Sequence, residues 1–200
     1  MAARSNALGE LTRFWLQARH GCLIDESVAV RVPYGNSDID LVAMRPDGMP
    51  WQLPDGTPIT RAIIETKDEH DFDSGGRDFA KRLRADVAAL GDGSWIPKAQ
   101  KAHFSMLRQE HFDKAVQIFG SDDFDRLFVV HALEQTTRSE LGPLLATRRI
   151  QWLTVHELVD DLLSWYGPGK GQAALRHTLV GDLWHLLVGY CGMRRSGGAG

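Results

Sequence analysis

The segments SDIDLVAM (residues 37–44) and AIIETK (residues 62–67) carry the strongest structural signal in this chain. Each is an apolar run typical of a buried strand, yet each contains charged side chains, which are costly to bury unless they are paired or bind a metal. Because strand side chains alternate between faces, Glu65 and Lys67 point the same way, with the carbonyl of Thr66 between them. The two segments therefore predict strands that hold a charged site.

The residue types in these strands match the chemistry of a metal-dependent phosphodiesterase. Hard divalent ions such as Mg²⁺ prefer oxygen ligands, neutralise phosphate charge and lower the pKa of a bound water. Asp40, Glu65 and the Thr66 carbonyl would supply the oxygen ligands, and Lys67 beside them would stabilise the nucleophile or the developing phosphorane charge. Asp38 lies on the same face of a regular strand as Asp40, so either carboxylate could be the ligand.

The pattern around the two segments predicts an α/β fold with a central mixed sheet flanked by helices. Helical and alternating apolar spacing and Gly/Pro punctuation define the elements. The predicted helices are residues 10–19, 77–90, 97–119, 139–148, 155–166 and 172–190, and the predicted strands are residues 27–32, 38–44, 59–67, 127–133 and 150–155. We expect the first three strands to form an antiparallel meander and the last two, which a helix connects, to be parallel. Residues 45–58 are expected to form a loop with a short hairpin, and residues 68–76 a second loop.

Composition places the chain among ordinary globular proteins. Its 200 residues are 43% hydrophobic and 24% charged, which predicts a single domain over residues 1–195 and a flexible tail over residues 196–200. No apolar run approaches the roughly 18 residues of a membrane helix, so we expect no membrane association. The two cysteines lie far apart and show no zinc spacing. A cytoplasmic location is the resulting expectation.

Charge is less informative about partners. The formal net charge is −3, whereas proteins that coat DNA are usually basic. A carboxylate cluster that binds divalent metal lowers the formal charge without repelling DNA once it is loaded. Arg77, Lys81 and Arg84 share one face of a predicted helix and form either a solvated surface or a ridge that contacts phosphates.

The combination resembles the PD-(D/E)xK nuclease superfamily, which has the restriction-endonuclease-like fold. Asp40 and the Glu65-Thr66-Lys67 triplet carry the resemblance, and the predicted element order through residues 8–165 is similar to the αβββαβ core of that family, followed here by an extra C-terminal helix. The resemblance implies that Asp40 and Glu65 hold Mg²⁺ or Mn²⁺ and that Lys67 helps to activate water.

The resemblance also bears on two further carboxylates. It favours Asp40 over Asp38, because in the family an apolar run follows the aspartate directly. It implies a metal-binding role for an acidic residue on the first helix, for which Glu10 is the candidate. This sequence departs from the family pattern at Ile39, where a proline would be expected.

The resemblance implies a Mg²⁺-dependent DNA endonuclease that acts in restriction, defence or repair. Homodimerisation is implied as well, since cutting both strands needs two sites. A non-catalytic or accessory domain of the same fold within a larger nucleic-acid-processing complex is the alternative, and a nuclease that acts on RNA or on a modified DNA end is a weaker one. Specificity is expected to come from loops such as residues 45–58 and 68–76, or from a partner.

Overall fold

The computed structural model describes residues 7–33, 35–67, 77–89 and 102–165, together with Leu183. Within these residues the chain forms an α/β fold around a five-stranded mixed sheet. The helices are α1 (Ala7–Phe14), α2 (Arg77–Ala89), α3 (Gln109–Phe119), α4 (Gln135–Ala146) and α5 (Val155–Trp165). The strands are β1 (Leu23–Val32), β2 (Gly35–Met44), β3 (Trp51–Gln52), β4 (Pro58–Ile59), β5 (Arg61–Lys67), β6 (Asp125–Val130) and β7 (Ile150–Thr154).

The strand order in the main sheet is β1-β2-β5-β6-β7. The pairs β1–β2 and β2–β5 are antiparallel, and the pairs β5–β6 and β6–β7 are parallel. This arrangement confirms the predicted meander and the parallel pair, because each parallel connection crosses over through helical segments while the antiparallel strands connect directly. The short hairpin expected within residues 45–58 is present as the β3–β4 pair.

Apolar side chains cover both faces of the sheet and form two cores. The first core joins the sheet to α1, α5 and the β3–β4 hairpin, and its largest members include Phe14, Trp15, Leu16, Trp51, Ile59, Leu158 and Leu162. The second core joins the sheet to α2, α3 and α4, and it includes Phe79, Leu83, Phe104, Phe112, Phe128 and Leu141. Because each fully buried side chain of this kind contributes about 1.5–3 kcal/mol, the two cores fix the helices against the sheet.

The predicted helix over residues 97–119 is wrong in its middle part. Residues 102–104 are not helical, Ser105–Leu107 forms a single 3₁₀ turn, and α3 begins only at Gln109. The backbone N–H groups of residues 103–106 bind carboxylates on α2 and β5 instead of carbonyls of their own segment. Apolar spacing reports local periodicity alone, so it cannot reveal this long-range competition for backbone donors.

The remaining described elements agree with the predictions in type and differ at their ends. The first helix continues beyond α1 as a π-helical turn over Trp15–Arg19 and stops at Gly21, whose φ of 68° is favourable for glycine. Strand β1 begins four residues earlier than predicted, and α4 begins at Gln135. These shifts do not change the order of the elements.

Three predicted segments lie outside the described residues. They are the loop over residues 68–76, the start of the predicted helix at residues 97–101, and the tail over residues 196–200. The predicted C-terminal helix over residues 172–190 is described only at Leu183. Among the described helices, none combines the length and the apolar character needed to cross a membrane.

The alternation of side chains between the two faces of the sheet is interrupted in β2 at Asp40. Side chains two residues apart normally share a face, yet Ile39 packs in the second core and Leu41 packs in the first. The β1–β2 ladder pairs Glu26 with Leu41 and then Val28 with Ile39, which leaves out Asp40 and the residue opposite it, Ser27. Ser27 has a φ of 50°, a left-handed conformation that is uncommon in a strand. The irregularity at Ser27 therefore accompanies the change of face.

We expect Ser27→Val to lower the free energy of unfolding by about 1–3 kcal/mol, because a β-branched side chain is strained at positive φ. Ser27→Gly should be tolerated, since glycine adopts this conformation without a steric penalty. Ala29→Val on the same exposed strand is the control and should be neutral or stabilising, because valine favours ordinary strand geometry. Urea unfolding measures all three, and equal stability of Ser27→Val and Ala29→Val would contradict a left-handed Ser27.

Candidate active site

The candidate site lies where β2 and β5 separate. Their ladder extends from the pair Met44–Arg61 to the pair Leu41–Ile64 and stops there. Beyond this point β5 remains paired with β6 on its other side. The edge of β5 that faced β2 therefore becomes available to side chains.

Asp40 takes the place of the missing backbone partner on that edge. Its Oδ2 atom accepts hydrogen bonds from the Thr66 backbone N–H at 2.7 Å and from the Thr66 hydroxyl at 2.9 Å. In a strand the N–H and C=O of one residue point to the same side, so the Thr66 carbonyl also faces this edge. The structure thus brings Asp40 and the Thr66 backbone together.

The Asp40 carboxyl is half-buried, and the loss of water around it raises its pKa above the ordinary aspartate value. The Thr66 hydrogen bonds and the Lys67 charge oppose this shift, whereas the neighbouring charge of Glu65 reinforces it. The net direction is upward, which means that the ionised carboxylate is under-compensated in the folded protein. A cation bound between Asp40 and Glu65 would relieve that cost.

Glu65 is the most buried carboxylate of the site, with a relative exposure of 2%. Its Oε1 atom lies 2.6 Å from the Lys67 ammonium and accepts a hydrogen bond of 3.4 Å from the Ser105 N–H. Its Oε2 atom accepts a hydrogen bond of 2.9 Å from the Met106 N–H. Because a carboxylate offers about four lone-pair positions, these three contacts leave Glu65 about one for a metal ion.

Lys67 lies at the end of β5, on the same face as Glu65. Its side chain is 29% exposed, so the ammonium reaches solvent while it pairs with the buried carboxylate. The Nζ atom also lies 5.9 Å from the centre of the Phe104 ring, within cation–π range. These contacts hold the positive charge at the mouth of the site.

A second buried carboxylate stands beside the first on the same face of the sheet. Asp86 of α2 accepts hydrogen bonds of 2.9 Å from the backbone N–H groups of His103 and Phe104, and the His103 Nδ1 atom lies 2.7 Å from its Oδ1. The sequence interpretation missed Asp86, although a signal was present. Asp86 follows Phe79 and Leu83 at helical spacing, so it is a carboxylate on an apolar helix face.

The other two candidate carboxylates occupy different surroundings. Asp38 is exposed, and its backbone carbonyl lies 3.2 Å from Nε2 of the buried His111. Glu10 lies on α1, where its carboxylate accepts a hydrogen bond of 2.6 Å from Arg13. The structure therefore places Asp40, rather than Asp38, against β5, and it gives Glu10 an arginine partner on its own helix.

The predicted basic face of α2 is only partly available for phosphate. Arg84 makes a two-point contact with Glu140 of α4, at 2.9 and 2.6 Å. Lys81 is exposed, and the backbone of Arg77 begins the helix. Within the described part of this face, Lys81 is the cation best placed to meet an external anion.

The donor chemistry of the site fits a hard divalent cation. The second oxygen of Asp40, Oδ1, accepts no hydrogen bond from any described residue, and Glu65 retains one lone-pair position. In the part of the chain that the structure describes, no three His, Cys, Asp or Glu side chains converge on a possible metal position. An ion would thus be held by Asp40, Glu65 and the Thr66 carbonyl, with water completing its shell.

Comparisons of the chain with protein-family models, with curated proteins and with solved structures gave no match. The functional argument therefore depends on the geometry of the site alone.

We expect Asp40→Asn to raise the melting temperature at pH 7 in metal-free buffer, because asparagine keeps an oxygen for Thr66 without burying a charge. Because the pKa of Asp40 is raised in the folded state, ionisation of this group lowers the free energy of unfolding as pH rises through that pKa. Below the unfolded-state pKa of about 3.9 the group is protonated in both states, and this cost is absent. The difference between variant and wild type should therefore shrink toward zero below about pH 4.

The melting temperatures of wild type and Asp40→Asn should also be compared with divalent metal present. Mg²⁺ or Mn²⁺ should raise the melting temperature of the wild type and leave Asp40→Asn unchanged, because ligands stabilise the state that binds them. A metal-free wild type that is more stable than Asp40→Asn at pH 7 would contradict the under-compensated charge.

Proposed function

We propose that this protein is a Mg²⁺-dependent DNA endonuclease of the PD-(D/E)xK type. The observation that carries the proposal is the convergence of Asp40, Glu65, the Thr66 backbone and Lys67 at the point where β2 and β5 separate. Two adjacent carboxylates with a partly exposed ammonium form an unusual group to bury without a ligand. Phosphodiester hydrolysis is the reaction that uses all of these groups together.

The topology supports the finer assignment to a restriction-endonuclease-like fold. A first helix, an antiparallel meander of three strands, a crossover to a parallel strand and a second crossover follow one another in the order expected for that fold. The candidate residues lie on the second and third strands of the meander, where the family pattern requires them. Fold order alone does not define an activity, so the proposal depends on the site.

The residues divide the chemistry between them. Asp40 and Glu65 would hold a divalent ion, which when bound neutralises phosphate charge and makes a water molecule more acidic. Lys67 donates hydrogen bonds from a position at the mouth of the site, so it can orient the attacking water and stabilise charge on the phosphoryl oxygens. The Thr66 hydroxyl keeps Asp40 in place and does not take part in the reaction.

DNA, a homodimer and a cytoplasmic setting belong to the same proposal. Lys81 on α2 lies on the face of the sheet that carries Glu65 and offers a contact to the phosphate backbone. A second copy would supply the second cut of a duplex. Restriction, defence and repair are the settings that this activity serves.

A non-catalytic accessory domain of the same fold is the second candidate. The hydrogen bonds from Ser105 and Met106 to Glu65 favour it, because they give the carboxylate a structural role that needs no metal. The raised pKa of Asp40 favours the enzyme instead, since a half-buried and under-compensated carboxylate does not stabilise the fold.

We expect the wild type to cleave plasmid or linear DNA in Mg²⁺ or Mn²⁺, and Glu65→Gln and Lys67→Ala to reduce the cleavage rate by about 10²-fold or more, because each removes a preorganised charge at the reacting phosphate. Gel analysis of supercoiled, linear and single-stranded DNA, with RNA in parallel, measures the rates. Lys114→Ala removes an ammonium from the surface of α3 and is the matched control.

Two outcomes of that assay would count against the enzyme. Cleavage retained by Lys67→Ala would refute the assigned site, and absence of cleavage of every nucleic acid by the wild type would favour the accessory domain. Circular dichroism of Glu65→Gln separates lost chemistry from lost structure, because this carboxylate also binds the residues before α3.

We expect Lys81→Ala to reduce the slope of log binding constant against log salt by about 0.9, because one phosphate contact releases about that amount of counterion from B-DNA. Fluorescence anisotropy with a labelled duplex in divalent-free buffer measures the slope. Lys114→Ala should leave it unchanged, and equal slopes for Lys81→Ala and wild type would remove Lys81 from the DNA interface.

A further inference from the structure

The Asp86–His103 pair is a second group of reactive side chains beside the candidate site. The Asp86 carboxylate is buried, with a side-chain exposure of 3%, whereas the His103 side chain is 53% exposed. The 2.7 Å contact fixes His103 Nδ1 against Asp86, so the opposite ring nitrogen, Nε2, points away from that carboxylate. Among the described residues, Nε2 has no hydrogen-bond partner. An exposed imidazole is thereby held in one orientation by a buried acid.

The backbone connects this pair directly to the candidate site. Phe104, the next residue, turns its ring into the second core beneath the Lys67 ammonium, at 5.9 Å. Ser105 and Met106 then donate their N–H groups to Glu65. Phe104 is extended, with φ −91° and ψ 128°, so adjacent side chains point to opposite sides. His103 therefore faces outward while Phe104 faces inward, and only Phe104 separates His103 from the backbone that contacts Glu65.

We propose that His103 is the general acid of the reaction, with Asp86 as its positioning residue. The inference rests on the proposed nuclease function and adds a group that the motif of two carboxylates and a lysine does not contain. Lys67, Asp40 and Glu65 address the attacking water and the phosphate charge, and none of them is assigned to the leaving oxygen. An outward-facing imidazole two positions before Ser105, whose N–H contacts Glu65, is a group that can meet that need.

The step balances without a further reactant. The water oxygen forms a bond to phosphorus as the bond from phosphorus to the leaving bridging oxygen breaks. That oxygen takes the Nε2 proton of His103 and departs as an alcohol, while the water proton passes to solvent. His103 then regains a proton from solvent, and the products are a phosphomonoester end and a hydroxyl end.

The test compares two substrates that differ in the leaving atom. One is an ordinary duplex, and the other is the same duplex with a bridging phosphorothiolate, in which sulfur replaces the leaving oxygen. The products of wild-type cleavage show which bridging oxygen this is, because the leaving oxygen becomes the hydroxyl end. A thiolate departs without protonation. We expect His103→Ala to lose about 10²-fold or more in single-turnover rate on the ordinary duplex, the usual contribution of a general acid, and to cleave the sulfur substrate at close to the wild-type rate.

His156→Ala is the matched control. His156 is also an exposed histidine beside an aspartate, Asp160, but α5 covers the opposite face of the sheet, so both substrates should be cleaved normally. Asp86 keeps two backbone donors in His103→Ala, and thermal unfolding close to that of the wild type is therefore expected.

Each result has a distinct meaning. An equal loss on both substrates would show that His103 has only a structural role, and no loss on either would remove it from the reaction; both outcomes overturn the inference while the nuclease function stands. A wild type that cleaves neither substrate would overturn the proposed function itself, and the inference with it.

Discussion

Two buried carboxylates bind four consecutive backbone N–H groups, two each, and so connect α2 and β5 to the segment before α3. Asp86 receives the N–H groups of residues 103 and 104, and Glu65 receives those of residues 105 and 106. Without these donors each carboxylate would be a buried, uncompensated charge, which costs several kcal/mol. Without the carboxylates the backbone N–H groups of residues 103–106 would lose these acceptors. Helix α2, strand β5 and helix α3 are thus positioned by one set of charge-assisted hydrogen bonds.

The same interaction explains why a charged site can exist inside the sheet. The backbone N–H groups of Ser105 and Met106 stabilise the buried Glu65 carboxylate, and the partly exposed Lys67 ammonium compensates its charge. Asp40 is treated differently, because its Thr66 contacts do not fully offset its burial. The fold therefore gives Glu65 more compensating contacts than it gives Asp40. Such an uneven distribution of stabilisation is typical of functional sites, where activity and stability often oppose each other.

Much of the fold could be predicted from the sequence, because strands and helices leave periodic apolar patterns. The meander, the parallel pair and the hairpin within residues 45–58 follow from apolar runs and from Gly and Pro positions. The adjacency of Asp40 and Glu65 follows from strand pairing. The segment over residues 102–108 could not be predicted in this way, since its conformation is set by Asp86 and Glu65, which lie 17 and more positions away. The change of face at Asp40 was equally hidden, because Ser27 looks like an ordinary strand residue.

The hydrogen bonds from residues 105 and 106 to Glu65 also determine how this site would change over evolutionary time. Under the proposed function, a descendant that loses catalysis could lose Lys67 and keep the segment before α3 in place, because the N–H groups of Ser105 and Met106 bind the Glu65 carboxylate. It is not equally free to lose Glu65, whose carboxylate anchors a neighbouring segment of the chain. Retention of the glutamate is therefore weak evidence for activity among sequences of this kind. The lysine, together with the aspartate of β2, is the more informative marker of a working enzyme.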